Sequence, residues 1–289
     1  ALIDAILNTD IHQANADYIG ISRGQSKTVL YACVDLETEA LTKRGWKKYH
    51  ELIEGELVLT YNIEKDCQEW KPILELHYYG DAEVVSVKAG NRSNHEIICT
   101  DNHRWPVERH TTVGGIRQRV REYRETKDLN TSCRIIGNSP FVGDNLSFGP
   151  IVTREQTKYG EEDMWVKNVL NMTDSERRSY LYGFLVADGA VKKKNVRTRG
   201  SKVAKGGNWV WNQLPGDIFE SALIASYMSW NTMTRVYAHH NNVNEMRVCH
   251  QGTSRTWGCQ NLRRTRVANR PVWCMTTENN SFVMRRGDF

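Results

Sequence analysis

Between residues 56 and 136 strand-like runs recur at short intervals: 56–61, 70–77, 84–87, 96–99 and 133–136. Gly, Asn and Asp turns separate them, and no amphipathic helix of any length interrupts them. Many short strands at this spacing confine residues 33–140 to a curled sandwich or a partly closed barrel, so the expected class is mainly β. The stretch opens with Cys33-Val-Asp-Leu-Glu-Thr-Glu-Ala-Leu-Thr-Lys-Arg-Gly45-Trp46, continues through Lys-Lys-Tyr-His-Glu-Leu-Ile-Glu-Gly55, and ends with Glu-Leu-Val-Leu-Thr-Tyr61-Asn62. It reads as a strand, a Lys-Arg-Gly turn, a second strand, a helical turn closed by Gly55 and a third strand.

Composition narrows the chemistry. At 289 residues the chain suits one large or two medium domains. Its cysteines (Cys33, Cys67, Cys99, Cys133, Cys249, Cys259 and Cys274) are odd in number and widely spaced, with no C-x-x-C pair. That pattern argues against a disulfide framework or a zinc knuckle and for a reducing compartment, so a cytoplasmic setting in a phage or prokaryotic host cell is expected. A net charge of +5 mildly favours an anionic partner. No apolar run approaches the roughly 20 residues of a membrane span, and no basic-then-apolar signal peptide opens the chain.

The Cys33 run resembles the N-terminal splicing block of inteins, a nucleophilic cysteine followed by short strands and a W-K-x-x-x-E-L-x-x-G-E-x-V-L-x-Y-N pattern. Ile97-Ile-Cys-Thr100-Asp-Asn-His103-Arg-Trp-Pro matches that family's T-x-x-H block, and Val272-Trp-Cys274-Met-Thr276-Thr277-Glu278-Asn-Asn280-Ser-Phe282 looks like its V-Y-D-x-T-x-E-x-H-x-F block. Cys274 stands at the usual Asp position and Asn280 where His is often found. The resemblance implies a Hint-type, horseshoe-like β fold built from residues 33–140 and 270–289. It implies an N–S acyl shift at the Ala32–Cys33 bond, with Cys33 as nucleophile, Thr100 holding the peptide, His103 protonating the leaving nitrogen and Cys274 assisting from across the site. It needs no metal or nucleotide; its partners are the host segments flanking the element, and a monomer suffices. The family's last block, a strand ending in Asn before Ser, Thr or Cys, is absent, so the chain as read is expected to form the thioester without completing splicing.

The remaining segments are expected to divide into a turn-rich linker at 141–172, an inserted α+β unit at 173–268 and a return to the splicing fold at 269–289. Thr173-Asp-Ser-Glu176 reads as a capping box, ahead of Tyr180-Leu-Tyr-Gly183-Phe-Leu-Val-Ala-Asp188-Gly189. This run is similar to a LAGLIDADG helix of homing endonucleases and makes Asp188 the candidate ligand for a catalytic Mg²⁺. Lys192, Lys193, Lys194, Arg197, Arg199, Lys202 and Lys205 would then contact double-stranded DNA, with Arg263-Arg-Thr-Arg266 as a second basic patch. With a single such helix, nuclease activity would require a homodimer. His239, His240 and His250 are expected in loops rather than on a metal. Upstream, residues 1–32 carry Arg23-Gly24-Gln-Ser-Lys27-Thr28, similar to the deviant P-loops of tailed-phage terminase large subunits, which would bind ATP–Mg²⁺ in the spliced host. The competing readings are an active endonuclease, a terminase fragment, and a β-rich binding module with an inert cysteine.

Overall fold

The structure is a computed structural model and describes residues 32–89, 96–142, 164–192, 208–213, 216–230, 234–239, 242–250 and 255–287. It is mainly β. Directly after Cys33, the two-residue strand Val34–Asp35 pairs antiparallel on both sides, Val34 opposite Trp273 of strand Leu262–Thr276 and opposite Cys99 of strand Glu96–Cys99. Together with strand Glu75–Ala89 these close a four-stranded barrel. The two long strands run antiparallel from Leu262↔Ala89 to Thr276↔Glu75, with the register shifting on either side of Arg270. Pro271, which has no N–H to give a ladder, falls within that irregularity. Inside the barrel Cys33, Tyr79, Ala82, Val84, Ile98, Val272 and Cys274 form a small buried cluster.

A second sheet orders strands Met284–Arg286, Thr38–Thr42, Leu57–Asn62 and Cys67–Pro72, with Gly45–Lys48 paired to Thr38–Thr42. Its tight turn works because Gly45 takes φ +93°, where a side chain is strained. A Cβ there would also stand 3.1 Å from Val166 Cγ1. A third sheet joins the hairpin Arg104–Val113 and Ile116–Glu125 to strands Arg134–Ile136 and Thr256–Gly258.

Three boundaries differ from the sequence expectation. The run at 70–77 is divided between two strands, because Ile73 and Leu74 bridge from one sheet to the barrel. The hairpin at 104–125 carries too many charges to show an apolar face, so it was not expected. The β body resumes at Thr256 rather than 269, since Leu262–Thr276 is one continuous strand whose first half displays exposed Arg263, Arg264 and Arg266. What read as a basic patch is the outer face of a paired strand.

The inserted unit contributes helices α1 (Met164–Asn171), α2 (Asp174–Asp188) and α3 (Asp217–Trp230), and a sheet ordered Gly189–Lys192, Asn208–Gln213, Asn242–His250, Thr234–His239. Helix α1 corrects the expected linker at 141–172. Its Trp165, Val166, Val169 and Leu170 are buried with Leu181 and Phe219 of the unit and with Leu41 and Leu59 of the β body. The capping box forms as expected: Glu176 N–H donates to Thr173 Oγ1 at 3.2 Å and Thr173 N–H to Glu176 Oε2 at 2.7 Å. The Asp217 carboxylate accepts from the N–H groups of Trp165 and Val166 at 2.8 and 3.1 Å, so α3 caps α1. Fully buried Arg177 lies over the Phe141 ring at 5.2 Å and donates to Met172 O at 2.5 Å. Burial pushes its guanidinium down to about 10, so it stays charged at neutral pH. Tyr227 of α3 reaches the β body: its hydroxyl accepts from Gln68 Nε2 at 2.7 Å and donates to Gly137 O at 3.1 Å, while its carbonyl accepts from Asn138 Nδ2 at 2.8 Å.

Candidate active site

The site is the peptide junction that enters the barrel. Because Val34 lies opposite Trp273 in an antiparallel pair, the preceding Cys33 faces Cys274 across the strands. Thr100 sits in the turn after strand Glu96–Cys99 and holds both peptide groups of Cys33. The Cys33 N–H donates to Thr100 Oγ1 at 3.1 Å, the Thr100 N–H donates to the Cys33 carbonyl at 3.0 Å, and the Thr100 hydroxyl lies 3.5 Å from that same carbonyl. One threonine thus fixes the orientation of the bond at Ala32–Cys33.

His103 closes the same turn, its N–H donating to Thr100 O at 3.0 Å. Its ring packs edge-on to Trp105 at 5.0 Å, and Trp105 Nε1 donates to Thr126 Oγ1 at 2.9 Å, so the imidazole is held from behind. The ring hydrogen-bonds the backbone of Ala32. Burial outweighs that bond and pushes the imidazole down to about 4, so His103 is neutral at pH 7. Its Nδ1 is buried with no hydrogen-bond partner among the described residues.

The two thiols face each other across the strands. The Cys33 thiol is pushed up first by its hydrogen bond to Cys274 and then by burial, so it rests protonated at neutral pH. Cys33 is fully buried and Cys274 is 5% exposed. Cys274 lines a cavity of about 610 Å³ together with Ala32, His103, Asn280, Trp46 and Tyr227. Asn280 reaches this cavity from an exposed turn at φ +50°, its N–H donating to Thr277 O at 3.0 Å. Cys33, Cys67, Cys99, Cys133, Cys259 and Cys274 are free thiols.

Residues the sequence did not single out complete the surroundings. Asp35 is 2% exposed; its carboxylate accepts from Thr38 Oγ1 at 2.9 Å and from Arg286 Nε at 3.1 and 3.0 Å, one bond to each oxygen. Its carbonyl accepts from Trp273 Nε1 at 3.0 Å. The signal that could have found this pair is the Arg285-Arg286 doublet, because a buried carboxylate requires a cation.

The other sequence candidates stand apart. Asp188 ends α2 and Lys192 ends strand Gly189–Lys192, but their side chains are not among those described. Lys193, Lys194, Arg197, Arg199, Lys202 and Lys205 lie outside the described residues, as do Arg23, Gly24, Lys27 and Thr28. His239 and His250 end paired strands rather than occupying loops, since Asn242–His250 is the inner strand of its sheet; His240 lies outside the described residues. Among the described residues no three His, Cys, Asp or Glu side chains gather as a metal site.

No protein-family model and no curated protein matches the chain. Solved structures that match include inteins and an intein-like domain. A DnaX mini-intein from Spirulina platensis is 10% identical over 89% of this chain and 96% of its own, at TM-score 0.34. The bacterial intein-like domain from Clostridium thermocellum is 20% identical over 35% of this chain and 64% of its own, at TM-score 0.27. The AceL NrdHF class 3 split intein is 15% identical over 35% of this chain and 61% of its own, at TM-score 0.27. The chain thus spans less than two thirds of the latter two.

Proposed function

We propose that this chain is a protein-splicing element that rearranges its own Ala32–Cys33 peptide bond. The observation that carries the reading is the convergence on that one bond: the Cys33 N–H is held by Thr100 Oγ1, the Ala32 backbone is met by His103, and two thiols face each other beside it. Attack of the Cys33 sulfur on the Ala32 carbonyl carbon forms a C–S bond; collapse breaks the C–N bond and frees the Cys33 amine. The thiol proton ends on that amine, so the step balances without a co-reactant. Neutral His103 takes the proton as the sulfur attacks and delivers it to the departing nitrogen, general acid–base help worth roughly 10²–10⁴-fold.

A second reading is favoured by one observation. Cys274, not fully buried Cys33, lines the cavity beside Ala32 and His103. In that reading the Cys274 sulfur attacks the Ala32 carbonyl, and the acyl group leaves Cys33 in the same balanced step. Incubating the full chain with dithiothreitol and weighing the products decides between them. Release of a fragment ending at Ala32 is expected, lost in Cys33→Ala but kept in Cys274→Ala for the first reading, and the reverse for the second. An intact chain in every reaction sinks both.

Two finer assignments extend the proposal. The host would be a terminase-like DNA-packaging ATPase, on the resemblance of residues 23–28 to a P-loop. The inserted unit would be a LAGLIDADG-like endonuclease or its remnant, supported by the order α2, two strands, α3, two strands. Nicking of supercoiled plasmid bearing the uninterrupted P-loop coding site, dependent on Mg²⁺ and lost in Asp188→Ala, tests the nuclease.

A further inference from the structure

Strand Met284–Arg286 carries an arginine to each of its faces. It pairs antiparallel with Thr38–Thr42, Arg285 opposite Glu39 and Arg286 opposite Thr38, so successive side chains point opposite ways. Arg286 turns toward the barrel and clasps the Asp35 carboxylate. Arg285 turns outward: Nε donates to Glu39 Oε2 at 2.7 Å, Nη1 donates to Glu220 Oε2 at 2.6 Å, and the guanidinium lies 4.7 Å from the centre of the Trp46 ring. Glu220 belongs to α3, in the inserted unit. Arg285 and Glu220 are 17% and 28% exposed at the side chain, which screens the pair less than an open surface bridge. Tyr227 on the same helix binds Gln68 and Gly137 and lines the cavity with His103 and Cys274.

We propose that Glu220 is a positioning residue for the Ala32–Cys33 junction, so that the inserted unit is a working part of the splicing site. Through Arg285 it sets where strand Met284–Arg286 lies. Through Arg286 and Asp35 that strand sets where Val34–Asp35 lies, and with it the peptide two residues upstream. The activity arm of this inference rests on the proposed acyl shift; its structural arm does not.

The test uses the full chain with Glu220→Gln, which keeps shape and removes charge, and Glu220→Asp, which keeps the carboxylate. Amide hydrogen exchange is followed by mass spectrometry in peptides covering 284–286, 34–35 and, as a distant control, 134–136. Glu220→Gln is expected to speed exchange about tenfold at the first two and leave the control unchanged, and to slow dithiothreitol-dependent cleavage about tenfold, since small misplacements at a reacting bond are costly. Glu220→Asp is expected to recover most of both. Unchanged exchange at 34–35, cleavage at the wild-type rate in Glu220→Gln, or no recovery in Glu220→Asp overturns the inference. If wild-type chain never cleaves, the acyl-shift reading falls, and exchange at 34–35 alone decides whether Glu220 positions the junction.

Discussion

Two of the buried polar assemblies among the described residues are finished differently. Where α3 docks, the Tyr227 hydroxyl both accepts from Gln68 and donates to Gly137, and its carbonyl is taken by Asn138. At the junction, His103 Nδ1 has no partner among the described residues, and two thiols are turned toward each other. The Tyr227 hydroxyl uses both its donor and its acceptor capacity, although Gln68 Oε1 beside it has no partner among the described residues. At the junction the unpaired atom belongs to an imidazole, a group that can carry a proton. The docking face is built to hold and the junction, in the proposed acyl shift, to react.

The largest test of that contrast is His103→Ala. Dithiothreitol-dependent cleavage is expected to fall by roughly 10²–10⁴-fold. Emptying the buried ring's place against Trp105 should also cost about 2–5 kcal/mol in urea, so the rate, not the stability, sets this variant apart from a packing loss. Leu170→Ala tests the other side. Leu170 is fully buried between the inserted unit and the β body, and its loss should cost about 2–5 kcal/mol in equilibrium unfolding with less than a tenfold change in cleavage. A loss of cleavage as deep as that of His103→Ala would erase the distinction.

The pH dependence follows from the direction of one shift. His103 titrates at about 4 when folded and at 6.5 when unfolded, so the unfolded chain binds the extra proton between those values. Its contribution is fully present above pH 6.5 and is lost as pH falls through 4, on the order of 3 kcal/mol. His103→Gln should flatten that part of the stability–pH curve, and the His103 imidazole should titrate by NMR near 4 rather than 6.5. Smallest is Tyr227→Phe, which removes the donor to the Gly137 carbonyl and leaves Gln68 Nε2 only its 3.4 Å bond to Asn138 Oδ1; about 1–3 kcal/mol of stability should go, read from the urea midpoint.

The residues that meet at the junction were legible because Cys33, Thr100, His103 and Cys274 stand out by residue type next to turns. Their support was not. Val34, Leu36 and the acids between them alternate as a strand with Asp35, Glu37 and Glu39 facing solvent would. A turn at 36–37 resets that alternation, burying Asp35 while Glu37 stays exposed. In the hairpin at 104–125 cross-strand ion pairs such as Arg109–Glu122 at 2.7 Å stand where apolar alternation was sought. Helix α1, at eight residues, is too short for its buried side to show as a period, and it follows a turn-rich stretch. Helix α2 was legible by its capping box. The boundary at 256 was hidden because a strand exposed along one half reads as a charged loop.

The last stave of the barrel is two residues long and is hydrogen-bonded on both edges. A cut just before it therefore frees no end: the new amine of Cys33 stays pinned beside the acyl group it has lost. In the proposed acyl shift, re-formation of the amide competes at high effective concentration with every forward path. Such a site does not release its product; it holds an equilibrium weighted toward the starting bond, and only a captor that removes the acyl group draws the reaction on.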